Sequence, residues 1–189
     1  MTFRALIQLN GPIWQDGFTC KGQYMRILAM VVLVSFATEV HAEGFGARDL
    51  SAIAPEVGTA LGSGFSHTGE AQRLTLSCPT CAGEPIVDLQ LGRQTDGTED
   101  RVRSGQTPIS RLEQLCQERS PSCRLTGLDV APAVGWISTY SMGALFGSTA
   151  VILRGGDLLT IRSVASNAES ARGNAETVVK AVRTRLIGN

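Results

Sequence analysis

The strongest periodicity in the chain lies near its C-terminus. Ala168, Ala171, Ala175, Val178, Val179, Val182 and Leu186 recur at three- and four-residue spacing, which predicts one apolar face of a long helix. Ser166 and Glu169 form a capping box ahead of it, and Glu176 stands four residues before Lys180. Lys180, Arg183 and Arg185 suit the negative end of the helix dipole, and Gly188 supplies a stop. With Gly173 nearby, this small-residue face is expected to lie close on a sheet.

Upstream, alternation replaces the helical period. Leu74 and Leu76 alternate with Arg73 and Thr75 in residues 71–77, and Val87, Leu89 and Leu91 share one face of residues 86–91. The two segments predict a hairpin with the turn-forming residues 78–85 at its tip. Residues 124–130, 136–142, 148–154 and 157–164 also read as strands. The last two are joined by Gly155-Gly156, and the favoured two-residue turn needs positive φ at both positions.

Two further helices are expected. Leu50, Ile53, Val57 and Leu61 have helical spacing within residues 43–61, where Pro55 is tolerated only in the first turn of a second, shorter helix. Ile109, Leu112, Leu115 and Cys116 form the inward stripe of another, with Thr107 as its cap and Pro108 at its first position. Residues 62–64 read as a flexible joint and residues 93–105 as a polar loop.

Helix, two strands, helix, four strands and a final helix make an α+β protein. The expected architecture is an antiparallel sheet of about five to six strands with helices packed on it, ending in a long C-terminal helix. The ending, a strand followed by a hairpin, another strand and a terminal helix, resembles that of Mog1/PsbP-like domains. The resemblance is one of element order over the last third of the chain and implies no site residue.

The longest apolar run has a different meaning. Arg26 precedes an apolar stretch over residues 27–37, and Val40-His41-Ala42 places small residues at the minus-three and minus-one sites of a cleavage before Glu43. That order of charge, apolar run and cleavage site is that of a secretory signal peptide over residues 25–42, and the run falls short of the roughly 20 apolar residues of a membrane span. Residues 1–24 lack clean periodicity and are read as an extension upstream of a start at Met25. Residues 43–189 are then a single α+β domain, exported to the periplasm or secreted, with no integral span in its mature form. A chain of about 150 residues buries roughly 70% of its unfolded surface, enough for an ordinary core.

Charge sharpens the picture by exclusion. Lys plus Arg and Asp plus Glu are equal at 17 each, with no basic block, and aromatic residues are only 5% of the chain. Nucleic acid is therefore a poor partner. Thr139-Tyr140-Ser141-Met142-Gly143 has the outline of a nucleophile elbow, but Thr139 stands where Gly is needed and no His follows it. Residues 64–69 miss the same spacing by one residue. His67 and Met142 are the sole His and Met after residue 42, which disfavours a copper site. Asp96, Glu99 and Asp100 lack the ligand spacing of a calcium loop and read as solvated. No Gly-rich phosphate loop occurs, so no cofactor is expected.

The cysteines carry the remaining chemistry. Cys78, Cys81, Cys116 and Cys123 follow the expected cleavage site and allow three pairings. Cys78-Pro79-Thr80-Cys81 supports a redox dithiol, a zinc knuckle or a structural disulfide. A dithiol of the thioredoxin type wants a helix starting at the first Cys, whereas Ala82, Gly83 and Pro85 follow here. Zinc needs a second close pair, and six residues separate Cys116 from Cys123. The expectation is a structural framework, Cys78–Cys81 and Cys116–Cys123, in an oxidising compartment. The sequence thus predicts a small exported envelope protein with a binding or structural role, its partner a protein or small molecule. The alternative is a periplasmic thiol–disulfide or metal-handling protein using Cys78 and Cys81.

Overall fold

A computed structural model describes residues 44–188. The expected extension and signal peptide, residues 1–42, lie outside the described residues. The fold is α+β, a single seven-stranded sheet in the order β1-β2-β3-β7-β6-β5-β4 with every neighbouring pair antiparallel. Its strands are β1 (Ser66–Glu70), β2 (Arg73–Ser77), β3 (Ile86–Arg93), β4 (Arg124–Gly127), β5 (Val134–Met142), β6 (Leu145–Arg154) and β7 (Asp157–Ala165). The helices are α1 (Ala54–Leu61), α2 (Thr98–Arg103), α3 (Ile109–Arg119) and α4 (Ala168–Val182). A 3-10 turn, Ser51–Ile53, leads into α1, and a π turn, Arg183–Ile187, ends α4.

One face of the sheet carries the core. Leu74 pairs with Leu89, Leu89 with Ile161, and Ile161 with Ala150, which pairs in turn with Ile137. These side chains form a continuous apolar row beneath α1 and α4. Ala171, Ala175, Val178, Val179 and Val182 of α4 are buried there, and Leu186 extends the stripe into the π turn. The small residues at the start of α4 allow the close approach expected from the sequence. Pro55 stands in the first turn of α1, where its missing N–H costs nothing. Gly155 and Gly156 both have positive φ in the β6–β7 turn, as that two-residue connection requires.

Several local expectations are corrected. The sheet has seven strands, one or two more than expected, because residues 66–70 form an edge strand exposed at every position. His67 therefore sits in β1. The polar loop at 93–105 contains α2. Thr107 does not cap α3, since Pro108, with extended ψ, holds the cap position and accepts from the Arg111 amide through its carbonyl at 2.9 Å. The cap of α4 is Asn167, whose side chain accepts from the Ser170 amide at 2.8 Å, one residue later than the expected Ser166. Glu176 pairs with Arg172 at 2.8 Å instead of Lys180.

Candidate functional site

Alternation along β5 sends Ile137 into the core and places Trp136, Ser138 and Tyr140 on the opposite face. Leu125 and Gly127 of β4 share that second face through their pairing with Ser138 and Trp136. Helix α3 crosses it antiparallel to β4: Ile109 lies against Gly127, and Cys116 near the helix end is at bonding distance from Cys123 at the strand start. The helix therefore covers β4 and leaves β5 uncovered. A groove of about 890 Å³ results, with Leu112 and Leu115 on one wall and Leu125, Trp136 and Tyr140 on the floor. That volume falls within the range of small-molecule sites, which are mostly apolar with a few placed polar groups.

This geometry corrects the reading of α3 as an inward-facing core helix. None of its residues is fully buried, and Leu115 is 41% exposed. The stripe Ile109–Leu112–Leu115–Cys116 is amphipathic because it forms a wall, which periodicity alone cannot tell from a core face.

The floor is held by its own side chains. The Tyr140 ring lies across Gly147 on β6, and its hydroxyl meets the Thr149 hydroxyl at 3.0 Å. A Cβ at Gly147 would come within 2.6 Å of that ring, so glycine is what lets the aromatic lie flat on the sheet.

The two ends of the groove differ in charge. Asp96 and Thr98 stand at the Trp136 end, where the chain leaving β3 meets the β6–β7 turn, and Arg119 and Ser120 stand at the Tyr140 end. Hydrogen bonds from the Thr98 side chain and backbone amide hold the Asp96 carboxyl below its ordinary pKa, with smaller help from Gln94 and Arg101. Its charge is thus compensated locally. None of the ion pairs among the described residues uses Arg119, whose side chain is exposed.

Helix α2 closes the Trp136 end through Glu99, which the sequence placed in a solvated acidic loop. Glu99 is only 8% exposed. One carboxylate oxygen accepts from Arg103 at 2.7 Å and the other from the Gly156 amide at 3.1 Å. Burial pushes its pKa up, but the Gly156 amide, Arg103 and the Gly155 amide outweigh burial and hold it below the ordinary value.

The cysteines form two local pairs at disulfide distance, with Cα–Cα separations of 5.3 Å for Cys78–Cys81 and 5.7 Å for Cys116–Cys123. The first closes the turn between β2 and β3. Five strand spacings, about 24 Å at ~4.8 Å each, separate that edge of the sheet from β4. Cys78 is completely buried, and Cys81 borders a shallow cavity with Ile86, Leu145 and Val164. No helix begins at Cys78; two turn segments follow it directly. Among the described residues, no group of three or more His, Cys, Asp or Glu side chains is arranged to hold a metal ion. Ser141 lies at the exposed end of β5, where its backbone amide donates to the Ser122 hydroxyl at 3.1 Å.

Neither a protein-family model nor a curated protein matches the chain. Among the described residues, no helix is long and apolar enough to cross a membrane.

Proposed function

We propose that residues 43–189 are an exported envelope protein of the periplasm that works by binding, not by catalysis, and that the groove between α3 and β5 is its ligand site. The groove carries the binding part of this reading: it joins an aromatic floor, an aliphatic wall and charged ends. Export rests on the leader-like residues 25–42 and on two cysteine pairs that suit an oxidising compartment. The residues just after the expected cleavage site are tied into the domain. The Phe45 amide donates to Asp157 at 3.0 Å and the Gly46 amide to the Leu186 carbonyl at 2.8 Å.

The thiol–disulfide alternative is less well supported. Exchange needs an accessible sulfur activated by a positive environment or a helix N-terminus, and Cys78 is buried without either. The test is the intact mass and N-terminal sequence of the protein recovered from the envelope fraction, before and after reduction and alkylation. The expected product begins at Glu43 and takes up four alkyl groups only after reduction. A product beginning near Thr2, or free thiols before reduction, would overturn export into an oxidising compartment. Insulin reduction lost on Cys78→Ser but kept on Cys116→Ser would overturn the non-enzymatic reading.

A further inference from the structure

The proposal that the groove binds a ligand leaves open what chemistry it selects, and its two ends bear on that. Asp96 has its charge met by the Thr98 amide at 3.0 Å, and the Arg101 guanidinium sits beside it, donating to the Asp96 carbonyl at 2.9 Å. Arg119 is different. It closes the last turn of α3 at the opposite end, is exposed, and joins none of the ion pairs among the described residues. Its nearest acidic neighbour in sequence, Glu118, faces Arg111 at 4.0 Å. Trp136 and Tyr140 offer flat rings along about 13 Å of β5, four residues at ~3.3 Å each. Aromatic faces of this kind suit a planar apolar body, and a guanidinium suits a carboxylate, sulfonate or phosphate.

We infer that the groove holds one molecule of an amphipathic organic anion, with its planar apolar body on Trp136 and Tyr140 and its anionic group on Arg119. This rests on the groove being the ligand site, and the two claims are separable by probe. The Leu112–Leu115 wall encloses the body from the helix side, and Ser120, its hydroxyl 3.1 Å from that of Ser122, lines the same end as Arg119.

The test titrates the purified full chain with two dyes of similar shape, anionic 1-anilinonaphthalene-8-sulfonate and neutral N-phenyl-1-naphthylamine. Dye emission is excited through tryptophan, and stoichiometry is fitted. One molecule of each dye is expected per chain, with the transfer signal reduced in Trp136→Phe. Arg119→Gln should weaken the sulfonate about tenfold, the effect of one charge-assisted contact, and leave the neutral dye within about twofold. Arg119 is exposed at a helix end, so this variant should fold, and an unchanged unfolding midpoint checks it. Saturable neutral-dye binding with a sulfonate affinity indifferent to Arg119→Gln would overturn the anion inference and leave the groove as a site. Equal weakening of both dyes would also overturn it. Saturation by neither dye would overturn the groove itself.

Discussion

The backbone amide of Phe45 donates to the buried carboxylate of Asp157 at 3.0 Å, joining residues 112 positions apart in sequence. Asp157 opens β7 directly after the Gly155-Gly156 turn, and its carboxylate also meets Arg48 at 3.3 Å and Arg93 at 3.2 Å. Both guanidiniums are largely exposed, so their pairing contributes little. The amide of Phe45 is the group that would be stranded if the carboxylate were removed. Asp157→Ala is expected to cost about 1–3 kcal/mol in urea unfolding. Arg48→Ala should cost under about 1 kcal/mol. Equal losses for the two variants would place the effect in the ion pair instead of the amide.

A second prediction concerns pH. The folded-state pKa of Glu99 is held below its ordinary value of 4.5. A depressed carboxylate pKa means that the ionised group stabilises the fold above the unfolded-state value. That contribution is lost as pH falls through the depressed folded value. Glu99→Gln offers one oxygen where Arg103 and the Gly156 amide now each find one, so it turns a donor toward a donor. It should destabilise the protein by about 1–3 kcal/mol at neutral pH. The difference from the parent chain should shrink as pH is lowered below 4.5. Denaturant melts at pH 7 and pH 3.5 check the sign.

The third prediction addresses α4. Val178 is fully buried against the sheet. Val178→Asp puts an unpaired charge there, at a cost on the order of 4 kcal/mol. In a domain of this size that lowers the melting temperature by roughly 10 °C or more. An unchanged melting temperature would mean that the face is not packed in solution.

What the sequence revealed and what it hid have separate physical causes. Elements that bury a stripe were legible: α4, the β2–β3 hairpin and the β6–β7 hairpin each show their period because one side meets the core. Strand β1, Ser-His-Thr-Gly-Glu, shows none, because an edge strand exposed at every residue is held by backbone pairing to β2. Helix α2 is similarly silent. Its six residues include five charged or polar ones, and its ties to the fold include two tertiary hydrogen bonds, Glu99 with the β6–β7 turn and Arg103 with the Pro132 carbonyl. The groove was half visible. Trp136 and Tyr140 stand out as aromatics opposite Ile137 in an alternating strand, but only the placement of α3 over β4 leaves them open.

A fourth prediction tests the floor of the groove without touching its charge. Gly147→Val would drive a side chain into the Tyr140 ring and the Met142 sulfur, both within 3 Å of a Cβ there. Tyr140 must then lift from the sheet and lose its contact with Thr149. Binding of N-phenyl-1-naphthylamine should fall at least tenfold, about 1.4 kcal/mol. Gly173→Ala, at an open position on α4, should leave it unchanged and stabilise the helix slightly.

The last prediction separates the two cysteine pairs. Cys116 lies in the final turn of α3 and Cys123 opens onto β4, so a bond between them fixes the angle at which the helix wall stands over β5. Cys78 and Cys81 close a turn at the other side of the sheet. By loop entropy alone the two bonds differ little: the eight-residue loop from 116 to 123 contributes about 2.5 kcal/mol and the four-residue loop from 78 to 81 about 2. Stability therefore cannot distinguish them, but ligand binding can. The double variant Cys116→Ser/Cys123→Ser should lose both stability and affinity for N-phenyl-1-naphthylamine, because the wall carrying Leu112 and Leu115 is no longer stapled to the strand. Cys78→Ser/Cys81→Ser should lose a similar amount of stability in urea unfolding and keep its dye affinity within about twofold. Equal affinity in the two double variants would show that packing of Ile109 against Gly127 positions α3 without the bond.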